Sequence, residues 1–123
     1  MLHKITKQIE TDGSGDASII IGSKIRGFLV AIIYTPGTLD TGTDLVFKGA
    51  SSDIPILTVT NAGTSKAFYY PRAPLNAVDD ASGADSGSEM IPLANEAVSL
   101  VVDEGGASKA GSVELIWMAN SPY

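Results

Sequence analysis

Glycine and proline cut this chain at short intervals, with 13 of the first and 6 of the second. The runs between them are rich in Val, Ile, Thr, Phe and Tyr. Branched and aromatic side chains suit a pleated sheet, and frequent breakers leave no room for helices. The pattern predicts an all-β fold, an antiparallel β-sandwich, jelly-roll-like, of about eight strands. At 123 residues the chain makes one domain, 1–123, large enough to bury a core without staples.

Period-two runs give the strands. They fall at His3–Glu10, Ala17–Ile21, Lys24–Tyr34, Asp44–Lys48, Ile54–Thr60, Ser65–Tyr70, Glu89–Ala94, Ala97–Asp103 and Ser112–Ala119. The first, within residues 1–10, reads either as an edge strand or as an N-terminal arm. Lys24–Tyr34 is the most apolar. Alternation puts Ile25, Leu29, Ala31 and Ile33 on one face and Phe28, Val30, Ile32 and Tyr34 on the other. A strand apolar on both faces is central or covered by a second chain. Val113, Leu115 and Trp117 share one face of the last strand, and Glu114 lies on the other. Residues 75–88, with Asp79, Asp80 and Asp85, read as a flexible acidic surface loop.

Several chemistries are excluded or weakened. Without cysteine there are no disulfides, thiolate nucleophiles or Cys-ligated metals. The one histidine, His3, would have to carry any triad or imidazole metal site alone. Gly106–Gly111 imitates a phosphate loop but lacks the Lys-Ser/Thr that must follow it. Gly106-Ala107-Ser108-Lys109-Ala110 lacks the last glycine of a nucleophile elbow. Asp79, Asp80, Asp85 and Glu89 supply carboxylates, but amid Ser, Gly and Ala with nothing apolar to raise a pKa, and the pair Asp103 and Glu104 starts a turn. Oxygen ligands on a Gly-containing acidic loop suit calcium, which stays an alternative for that loop, but EF-hand spacing is absent. The expectation is no catalytic, cofactor-binding or metal-ligating residues, and no enzyme.

Eight Lys and Arg against fourteen Asp and Glu give a net charge of −6, which opposes a role in holding nucleic acid. The acidic excess lies after Arg72. The apolar run Phe28–Ile33 is too short to span a membrane as a helix, and no apolar leader follows Met1. The expectation is a protein used without secretion, with no membrane partner.

Binding surfaces are the remaining option. The strand 24–34 and the cluster Phe68-Tyr69-Tyr70-Pro71-Arg72 suggest a subunit interface, because Tyr and Arg favour such contacts. Its candidates are Phe28, Val30, Ile32, Tyr34, Phe68, Tyr69, Tyr70 and Arg72. The N-terminal segment sets Leu2 and Ile5 beside His3, Lys4 and Lys7, and chain termini can reach neighbours. These five are candidates for contact with a larger assembly. An alternative uses Tyr69, Tyr70 and the acidic loop to hold carbohydrate. A cupin-like enzyme would need more histidines.

Several segments, taken in order, resemble a known group. They are Gly27–Tyr34, Gly37–Leu45, Ile56–Asn61, Tyr69-Tyr70-Pro71-Arg72, Ile91–Ala94, Val98–Val102, Gly105-Gly106 and Gly111. Over residues 27–118 the chain resembles small proteins encoded among tailed-phage and prophage head genes. The resemblance implies a capsid decoration, or cement, protein: a homotrimer on the outer face of the head that binds the major capsid protein. It implies synthesis in the host cytoplasm and brings no catalytic residues. On it, Leu2, His3, Lys4, Ile5 and Lys7 become candidate capsid contacts.

Overall fold

A computed structural model describes residues 1–74 and 88–119. The described residues form eight β-strands and no helix. In chain order they are β1 (Leu2–Glu10), β2 (Ala17–Thr35), β3 (Asp44–Gly49), β4 (Pro55–Val59), β5 (Ala67–Tyr69), β6 (Arg72–Pro74), β7 (Ser88–Asp103) and β8 (Ala110–Met118). All pair antiparallel in the order β1-β8-β2-β7-β3-β4, with β5 beside β2 and β6 beside β7. The all-β, sandwich-like class expected from the sequence is what folds. The acidic segment with Asp79, Asp80 and Asp85 lies outside the described residues.

The sheet folds over on itself. One cluster of buried side chains joins strands from both ends of the path, including Ile9, Leu29, Ile32, Phe47, Ile56, Leu100 and Leu115. Two long strands make this possible. The first half of β2 pairs with β7 over Ala17–Leu29, and its second half pairs with β8 over Phe28–Thr35. β2 thus belongs to both layers. At the crossing, Gly27 has φ +122°, and a Cβ there would lie 1.8 Å from the Met118 carbonyl oxygen. Glycine is required for that approach.

Two gaps between expected strands, Gly22-Ser23 and Asn95-Glu96, are bulges within continuous strands instead. Gly22-Ser23 separates no strands: the β2–β7 register slips between Ile21 and Ile25 while the chain continues. Asn95, at φ 56°, is an extra residue in β7 between Glu96 and Ala94, which face Ile25 and Arg26. An extra residue reverses the facing of everything beyond it. Ile91 and Leu93 point inward before Asn95; Glu96, Val98, Leu100 and Val102 do so after it.

That reversal buries a carboxylate. Glu96 is 5% exposed. Its Oε1 accepts hydrogen bonds from the Ser51 N–H at 2.7 Å, the Ser52 N–H at 2.9 Å and the Ser51 hydroxyl at 3.0 Å. The carboxylate thereby holds the β3–β4 turn. A Cβ on Gly49 would come within 2.8 Å of it, so glycine leaves room for the latch. The Ser52 N–H, then the Ser52 hydroxyl and Ser51 N–H, favour the ionised form and bring the Glu96 pKa down to about 2. A folded-state pKa depressed from 4.5 adds stability above 4.5 that is lost as pH falls toward about 2. Urea unfolding as a function of pH should show wild-type stability dropping through that window. Glu96→Gln, which cannot ionise, should show a shallower drop there and lower stability at neutral pH. Parallel pH profiles for the two proteins would refute the latch.

Candidate interaction face

The second layer, β5, the end of β2, β8 and β1, turns one side to solvent. Its register sets side chains in ranks. Phe28 faces Met118, which faces Leu2; Ala31 faces Ile116, which faces Lys4. Phe68 faces Ile33, which faces Glu114, which faces Thr6. Leu2 is 60% exposed and Phe68 55%. Phe28, Ile33, Ile116 and Met118 are half-buried. Tyr70, 63% exposed, continues the facing of Phe68. Lys66 lies over the Phe68 ring, 5.7 Å from its centre. This is an apolar surface with few charges, running from β5 to β1.

The face gathers residues from both sequence-derived sets, Phe28, Phe68 and Tyr70 from one and Leu2 and Lys4 from the other. It also corrects both sets. Ile32 and Tyr34 are wholly buried in the core and cannot meet another chain. The cause is a bulge: against β8 the register slips between Leu29 and Ala31, so one extra residue enters β2. Inward positions are Ile25 and Leu29 before it and Ile32 and Tyr34 after it, while Ile33 turns outward. Val30 is half-buried at the bulge, and the exposed Arg72 donates from Nη1 to its carbonyl at 3.2 Å and to that of Pro71 at 2.7 Å. Tyr69 packs against the core.

The N-terminal segment is an edge strand, not a free arm: it pairs with β8 from Leu2 to Glu10. Only Leu2 and Lys4 of its candidates share the outer side. His3 and Ile5 face the other way and are half-buried, and Lys7, of the same facing, is exposed. His3 stacks on Trp117 with ring centres 5.3 Å apart and planes at 22°. Beside them opens a cleft of about 480 Å³ lined by residues including Ile5, Ser23, Lys24, Arg26, Trp117 and Ala119. The outward Ile116 and Met118 escaped the sequence reading. Their signal was available, since they share the facing of Glu114 in a strand whose inward residues were assigned.

The carboxylate candidates fall elsewhere. Asp103 ends β7 and is exposed, beside Asp16. The hydrogen bond between their side chains, with desolvation and repulsion added, raises the Asp16 pKa. Glu89 is half-buried in β7. Among the described residues no three His, Asp or Glu side chains converge as a metal site would require. Comparison with protein-family models, curated proteins and solved structures yielded no match.

The division between core and face has a direct measure. Ile32→Ala should cost about 2–5 kcal/mol in chemical denaturation, as expected for a filled core site. Phe68→Ala should cost no more than about 0.5 kcal/mol. Equal losses would mean that Phe68 is packed as core.

Proposed function

We propose that this protein is a structural component of a tailed-phage particle, a decoration protein that binds the outer surface of the head and strengthens the shell. The observation that carries the reading is the apolar face from Phe68 to Leu2. Contiguous exposed apolar surface on a small soluble domain is characteristic of an interaction site. The resemblance over residues 27–118 supplies the partner, the major capsid protein, and the homotrimer. The role is mechanical. A contact of modest area, repeated over many copies, adds binding free energy to the assembled state. The acidic balance of the chain suits a position outside the shell, away from packed DNA.

The carbohydrate-binding alternative loses Tyr69 to the core; the aromatic rings left in solvent are Tyr70 and its neighbour Phe68. Both lie apart from the described cleft, whose aromatic lining is Trp117. A sugar competing for the face would favour it.

Empty heads of the phage that encodes the chain are the test. Wild-type protein should co-sediment with them and raise the temperature at which filled heads release DNA. Leu2→Glu with Phe68→Glu should fold and lose most of this binding. If wild-type protein leaves the release temperature unchanged, the cement role is wrong. If the double variant binds undiminished, the role belongs to another surface.

A further inference from the structure

The folded-over sheet is open along one side. β7 covers one edge of β2 over Ala17–Leu29, but β8 reaches the other edge only from Phe28 onward. Among the described residues no strand pairs with that edge over Ala17–Gly27. Among the described residues β1 pairs with β8 alone, which leaves its outer edge open too. These edges belong to consecutive strands and border the same cleft. Ile5 comes from β1, Ser23, Lys24 and Arg26 from β2, and Trp117 from β8.

Burial shows that the side is under-covered. Ile9, Ile21 and Leu115 point inward and are wholly buried. His3, Ile5, Ile19 and Trp117 share their inward facing but are only half-buried. An open edge offers unpaired backbone donors and acceptors, and half-covered apolar side chains offer area, which together are what an added strand uses. The charge narrows the occupant. The cleft lining holds two cations and no acid, in a chain with only eight cations and a net charge of −6. β1 adds His3, Lys4 and Lys7 against one acid, Glu10, at its far end, so pairing with a second β1 would set mostly cations along the seam.

We propose that the gap receives an extended segment of another protein, alternating acidic and apolar residues, which adds as a strand to the free edge of β1. Its apolar side chains cover Ile5 and Trp117, and its carboxylates meet Lys24 and Arg26. This inference is independent of the decoration role, since it concerns a different surface.

A short blocked peptide alternating valine and glutamate is the probe. Trp117 is the chain's one tryptophan, so its emission reports on the cleft. The peptide should change that emission saturably and slow hydrogen exchange at the β1 amides that do not bond β8. Lys24→Glu with Arg26→Glu, both at exposed positions, should keep the thermal midpoint and weaken binding at least about tenfold. A valine–lysine peptide should give no response. The proposal is overturned by no saturable change up to about 1 mM peptide, or by an equal response to the lysine peptide. It is also overturned if β1 becomes protected only as the protein self-associates, which would assign the edge to a second copy.

Discussion

Which side chains this fold can bury is decided by two of the extra residues in its ladders, the ones that reverse the facing of a strand. Strand side chains alternate with a period of two, so a single inserted residue exchanges inside for outside over the rest of the strand. In β2 the insertion comes at Val30; in β7 it is Asn95. Without the first, Ile32 and Tyr34 would face solvent and Ile33 the core. Without the second, Val98, Leu100 and Val102 would lose their inward places. Both bulges lie near the region where β2 passes from one layer to the other, and bulges bend and twist the strands that carry them. Gly27, close against Met118, is the third part of that crossing.

Much of the fold was legible because composition and turn spacing report the strand period directly. The last strand shows this. Val113, Leu115 and Trp117 alternate without interruption, and their shared facing holds in the structure. The run 24–34 failed for the opposite reason. Lys24 and Arg26 mark the outside only at its start; from Phe28 to Ile33 every residue is apolar, so no polar partner marks the outer face, and a bulge leaves no trace in such a run. Four candidates of mixed fate resulted, with Phe28 and Val30 partly exposed and Ile32 and Tyr34 buried. Gly22 and Asn95 were legible as irregularities but not as bulges. A turn and a bulge ask for the same residues, since both use positive φ. The outer face was half legible: Phe68 and Leu2 could be read locally, but only the pairing of β5 and β1 through β2 and β8 brings them to one side.

Glu96 illustrates why a charge inside a strand need not be a catalytic one. In the sequence it falls in the gap between the expected strands Glu89–Ala94 and Ala97–Asp103, with nothing to mark it as buried. The Asn95 bulge turns that acid inward, onto the N–H groups of Ser51 and Ser52. A buried carboxylate in apolar surroundings would have a raised pKa. This one is lowered, because backbone donors replace the water it loses. The group is therefore set to stay ionised and to fix a turn, and it is poorly suited to exchange protons near neutrality.

The distribution of charge bears on how an apolar face of this kind meets a partner. Exposed acids gather around the β1–β2 turn and the β7–β8 hairpin, at Asp12, Asp16, Asp103 and Glu104. Cations border the cleft at the other end of β1. The net charge of −6 makes two copies repel at a distance, and the repulsion decays over about 8 Å at physiological ionic strength. Apolar attraction acts at shorter range, so a chance encounter between copies meets the repulsive field first. On the decoration role proposed above, a capsid surface without that acidic excess would present no such barrier to the same face. Lys4 and Glu114, on adjacent ranks of the face, add directional preference at contact. The apolar area contributes most of the attraction, while the charges decide which surfaces come close enough to use it.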